Sequence, residues 1–172
     1  SRSKPHPARV VPDLPYLPMV RELVRAGWLD LSNAAGTLAV PGGTVSLLGT
    51  DDAHIHRDRL GAPASSWGQA GVLHLGVTHA PYTRVVSALA SAGSDLILAG
   101  HTHGGQIGIP GGGAIITNCD IARRYAKGLN RWEAPDGAQS WLHVSAGLGT
   151  SPYAKIRIAT RPEASIIHVH PA

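Results

Sequence analysis

A chain of 172 residues with 43% hydrophobic and 15% charged side chains carries enough apolar mass for one packed domain. That composition excludes a disordered chain, and no apolar run approaches the roughly 20 residues of a membrane helix. The single cysteine, Cys119, excludes an intrachain disulfide and a cysteine zinc cluster, and the net charge of +4 is scattered, so nucleic acid is not an expected partner.

Residues 1–18 hold five prolines and read as an irregular arm. Met19, Val20, Leu23 and Val24 then recur at helical spacing, and Gly27 ends that helix. Thr37–Val40 and Thr44–Leu48 read as strands joined by a turn at Pro41-Gly42-Gly43, and residues 61–70 as a small-residue loop. Val72–Thr78 is an apolar strand that ends at His79. Val85, Val86, Leu89 and Ala92 mark one face of a helix stopped at Gly93, and Asp95–Ala99 is a second apolar strand. This strand–helix–strand run predicts a parallel pair whose carboxyl ends share one edge of a sheet. Beyond the glycine-rich loop 104–113, strands are expected at Ala114–Thr117, Trp141–Ser145, Ile156–Ile158 and Ile166–His170, with a short helix at Ile121–Ala126. The fold class is α/β.

The ten histidines are the unusual feature of the composition. His101 and His103 stand at i and i+2 in Gly100-His101-Thr102-His103-Gly104-Gly105-Gln106, an expected extended loop just past a strand end, so two imidazoles project to the same side and can converge there. His79 ends the preceding strand of the parallel pair. Open α/β sheets bind ligands at this edge, so His79, His101 and His103 are the candidate metal ligands. The remaining histidines read more plainly. His54 and His56 fall in a charged loop, with a position at the mouth of the site as the alternative, His143 at a half-exposed strand position, and His168 and His170 on a solvent-facing strand, while His6 and His74 have no identifiable partner. Gly147–Ser151 either offers N–H groups to an anion or is a plain turn. Arg157 reads as a surface or structural residue, and Cys119 as a packed thiol.

The Gly100–Gln106 heptapeptide, with Thr78-His79-Ala80-Pro81 upstream, resembles the last two motifs of calcineurin-like metallophosphoesterases. The bacterial branch whose Gly-His-Thr-His is followed by Gly-Gly-Gln is the nearest in pattern. Leu48–His54, Arg57-Asp58, Gly147–Ser151, Ile156-Arg157 and Arg161-Pro162-Glu163 resemble further segments of that branch. The resemblance implies a four-layer α/β/β/α sandwich and a hydrolase acting on a phosphomonoester or phosphodiester. It also implies two divalent ions (Mn, Fe or Zn) about 3.5–4 Å apart, activating a hydroxide. His79 and His101 would bind one ion and His103 the other. The family also requires an early Asp-x-His, a Gly-Asp whose carboxylate bridges the ions, and a Gly-Asn-His-Asp/Glu. Only 78 residues precede His79, and none contains Gly-Asp or Gly-Asn-His. Asp52-Ala53-His54 matches Asp-x-His but lies where the family places a later loop. The expectation is that residues 1–172 are the C-terminal part of a single metallophosphoesterase domain, inactive alone, in a cytoplasmic or membrane-associated protein. A non-enzymatic binding domain with the same fold is the alternative.

Overall fold

The computed structural model describes residues 15–61, 67, 73–110, 113–151 and 155–170. The chain divides into two compact units, Ser1–Asp30 and Leu31–Ala172.

The first unit holds α1, Leu17–Arg25. Pro18 sits in its first turn, where a missing N–H costs nothing, so the helix starts inside the stretch expected to be an arm. At the other end Gly27 N donates to Val24 O and Trp28 N to Leu23 O, the paired bonds of a Schellman cap. None of the helix residues is buried. The rest of the expected arm, residues 1–14, lies outside the described residues.

The second unit is a mixed α/β fold. Strands β1 (Ala35–Val40) and β2 (Gly43–Gly49) form the expected hairpin, and β3 (Leu73–Val77) and β4 (Leu96–Ala99) flank helix α2 (Thr83–Ser91). A two-residue hairpin, β5 (Gly108–Ile109) and β6 (Gly113–Ala114), precedes β7 (Gly128–Glu133) and β8 (Gln139–Val144). The main sheet has the order β1-β2-β3-β4-β8-β7. Its four inner strands run parallel, with β1 and β7 antiparallel at the edges. No helix among the described residues is long and apolar enough to cross a membrane.

One sheet face carries the core. Val85, Val86, Leu89 and Ala90 of α2 pack with Leu48, Ile97, Leu142 and Val144 of the sheet, all 2% exposed or less. Fully burying one Val, Leu or Ile side chain contributes about 1.5–3 kcal/mol. The N-terminus of α2 is capped from a distance: Asp120 Oδ1 accepts from Thr83 N at 2.7 Å, tying the 118–120 segment to the helix. On the opposite face, Leu98, His143 and Leu129 stand side by side, with Trp141 one pleat away. Leu129 and Trp141 are 51% and 39% exposed there.

Four expectations change. Ile156–Ile158 forms no strand, only a single bridge from Ile158 to Ile107, and Ile166–His170 has no strand at all. A strand needs a ladder partner, and none lies beside either segment among the described residues. Of Ala114–Thr117 only Ala114 lies in a strand, because the β5–β6 ladder ends at its pairing with Gly108. The helix at Ile121–Ala126 is one 3-10 turn, Arg123–Tyr125. The expected loop 61–70 lies outside the described residues except for Gly61 and Trp67.

Candidate metal centre

Parallel pairing sends the carboxyl ends of β2, β3, β4 and β8 to one edge. The loops leaving that edge are cross-braced. Thr50 Oγ1 donates to Thr78 Oγ1 at 2.9 Å, Gly100 N to His79 O at 2.9 Å, and Ser145 N to Ala99 O at 2.8 Å. His79, His101 and His103, together with His54, line one cavity of about 700 Å³ at this edge. The rings of His79 and His101 meet edge to face with centroids 5.2 Å apart.

The pair His101 and His103 reaches the cavity by a route other than the extended one expected. Both have left-handed backbones, φ +68° and +50°, and His103 opens a 3-10 turn. Gln106 (φ +47°) and Asn118 (φ +57°) are also left-handed and line the same cavity. Such conformations cost free energy in non-glycine residues and concentrate at functional sites. Thr102, fully buried between the two histidines, fixes the turn: its Oγ1 donates to Ala126 O at 2.6 Å and accepts from Gly104 N at 3.2 Å. Thr102→Val keeps the shape and orphans both partners, so about 1–3 kcal/mol of unfolding free energy should be lost in urea titrations.

Gly104 and Gly105 close the turn at φ +66° and +83°. Their missing side chains make room for packing as well as for the ligand site. A Cβ on Gly104 would stand 2.6 Å from Thr160 Cγ2, and one on Gly105 would collide with Ala114.

Burial is the main cause that lowers the His101 pKa, with His79 and His54 adding to it and the Asn118 carbonyl opposing. Burial and then the charge of Arg157 lower that of His103. Both imidazoles therefore favour the neutral form that a metal ligand needs. His101 Nε2 lies 3.3 Å from Asn118 O, an acceptor only, so Nε2 carries the proton and Nδ1 the free lone pair. The donor set suits a borderline divalent ion in kind, though not in number. Among the described residues no group of three or more His, Cys, Asp or Glu side chains could hold a metal ion, and no carboxylate lines the cavity.

Several other residues land elsewhere than the sequence suggests. His54 stands in the cavity, its ring 5.2 Å from that of His101 and its Nδ1 2.8 Å from Tyr82 Oη. Asp52, its partner in the Asp-x-His match, instead accepts from His54 N at 2.8 Å in a loop turn. His143, expected half-exposed, is 8% exposed, and neither ring nitrogen has a hydrogen-bond partner among the described residues. Its two strand neighbours, Leu98 and Leu129, shield it from both sides. His74 has a partner after all: its Nδ1 lies 3.3 Å from Asp95 Oδ2. His168 and His170 stack on each other in an exposed segment, and His6 lies outside the described residues. Arg157 is structural. Its guanidinium donates to the carbonyls of Ala146, Gly147, Gly149, His103 and Arg161, so the Gly147 loop turns carbonyls rather than N–H groups toward it.

No family model matches the sequence, and no solved structure matches it. Two curated proteins do. Phosphodiesterase YaeI of Escherichia coli (strain K12) is 30% identical over 147 residues, 86% of this chain and 49% of its own length. The uncharacterized metallophosphoesterase YkoQ of Bacillus subtilis (strain 168) is 28% identical over 145 residues, 83% of this chain and 50% of its own. The chain belongs to the calcineurin-like metallophosphoesterases. It spans about half the length of the curated relatives it matches. The cavity at the carboxyl edge of its sheet is the candidate functional site.

Proposed function

We propose that the intact protein is a two-metal phosphoesterase acting on a phosphomonoester or phosphodiester, and that this chain is its C-terminal part, inactive alone. One observation carries the reading: imidazoles from two adjacent strand ends line a single cavity that no Asp or Glu among the described residues lines. In this reading His79 and His101 hold one ion and His103 the other. The carboxylates come from protein outside these 172 residues, in keeping with relatives twice as long.

Bound divalent ions would supply Lewis acidity and a nucleophile at neutral pH. This chain's own residues position and insulate. The Nε2–H of His101 is held on Asn118 O, which leaves Nδ1 as the donor atom. The buried Thr102 and the Gly104-Gly105 turn set the direction of His103. Gln106 Oε1 accepts from Ser151 N at 2.9 Å and closes the far side.

The sheet would be half of an α/β/β/α sandwich. Parallel sheets are normally covered on both faces. Here, among the described residues, the face bearing Leu129, Trp141 and the His143 ring without a hydrogen-bond partner stays partly open, which supports a missing second layer.

Supplied with Mn²⁺ or Zn²⁺, the 172-residue chain should hydrolyse p-nitrophenyl phosphoesters no faster than buffer. Two ions a few ångströms apart repel strongly without a bridging carboxylate. Robust turnover that His101→Ala abolishes would sink the half-site reading.

A further inference from the structure

The cavity that holds the histidines has a second, different wall. Ile107, Ile115 and Ile116 line it while 42%, 37% and 61% exposed. Two of them are joined by a bond from Ile115 N to Ile107 O at 3.1 Å, so the wall is built on the β5–β6 hairpin. Among the described residues no Lys, Arg, Asp or Glu lines the cavity, and neither does any Phe, Tyr or Trp. Among the described lining residues a nucleoside would find no aromatic ring to stack on beyond the imidazoles, and a sugar or a second phosphate would face isoleucines with its polar groups unpaired. An alkyl or acyl chain, by contrast, would be desolvated there at no polar cost.

We propose that the substrate is a phosphoester of an apolar alcohol. Its hydrocarbon chain lies against Ile107, Ile115 and Ile116, and its phosphoryl group faces His79, His101 and His103. The inference rests on reading the histidines as a phosphoester site. The wall continues that site, which favours substrate over a protein partner as its occupant.

The test is a titration of the 172-residue chain, labelled at isoleucine methyls and histidine rings, with methyl, butyl and octyl phosphate and Zn²⁺ in excess. The expected result is that every ester shifts the His101 and His103 ring signals, while butyl and octyl phosphate also shift the Ile107, Ile115 and Ile116 methyls. Each added methylene should tighten binding about two- to fourfold, so butyl phosphate should bind about 8- to 60-fold more tightly than methyl phosphate. Ile116→Ser, at an exposed position that folding tolerates, should pull the butyl-to-methyl ratio toward one. Equal affinities across the series, with the histidine signals still shifting, would overturn the apolar chain and leave the histidine reading standing. Octyl phosphate that shifts the isoleucines but not the histidines would make the wall a separate docking face and also overturn the inference. Histidine signals that no ester shifts would overturn the site reading itself.

Discussion

Gly105→Ala is expected to cost about 2–4 kcal/mol of stability and to displace His103 from the cavity. Two penalties add. A residue with a Cβ pays roughly 1 kcal/mol or more to hold φ +83°. The new methyl would also meet Ala114 Cα at 2.9 Å and Ile116 O at 3.0 Å, contacts that only a backbone shift can relieve. Overpacking of that kind typically costs about 1–3 kcal/mol. Ala114 is not free to retreat, since Gly108 pairs with it and Ile115 N is bound to Ile107 O. Gly113→Ala is the control: its φ is +82°, but a Cβ there meets nothing within 4 Å, so only the backbone penalty applies. Urea midpoints that fall equally for the two variants would show that packing against Ala114 contributes nothing.

The parts of the fold legible in the sequence are those where local pattern and tertiary setting agree. The β3–α2–β4 run is one, because apolar strands, a helix with Val85, Val86 and Leu89 on one face and a stop at Gly93 all point to the same unit. Strand β7 is the opposite case. Gly128, Asn130, Arg131 and Glu133 are poor strand formers, and full pairing with β8 across the Asp136-Gly137 turn holds them extended. That Asp-Gly was the available signal for a hairpin. Ile166–His170 errs the other way, with alternating apolar residues but no ladder partner among the described residues.

The site divides along the same line. The grouping of His79, His101 and His103 at one sheet edge was legible because His79 and His101 stand two residues past the ends of β3 and β4, with His103 two residues further on. His54 was legible only as the alternative reading, at the mouth of the site: its place in the cavity depends on β2 lying parallel to β3, a pairing that joins Val45 to Leu73 and leaves no local trace. Asn118 needed two distant facts, its carbonyl near His101 Nε2 and the anchoring of Asp120 to α2. Arg157 was legible as structural, but its five carbonyl acceptors were not, since they come from three separate stretches of chain.

In the proposed function, the imidazoles of His79, His101 and His103 form the metal-binding end of a phosphoesterase site. The most direct test follows the ring ¹⁵N signals of every histidine as Zn²⁺ is added in excess to the 172-residue chain. His79, His101 and His103 should take on metal-bound shifts first, and at His101 the nitrogen that moves should be Nδ1, because Nε2 is protonated against Asn118 O. His74 beside Asp95, the buried His143 and the stacked pair His168 and His170 should lag behind them. Metal-bound shifts led by His168 and His170, with the cavity histidines unmoved, would contradict the account.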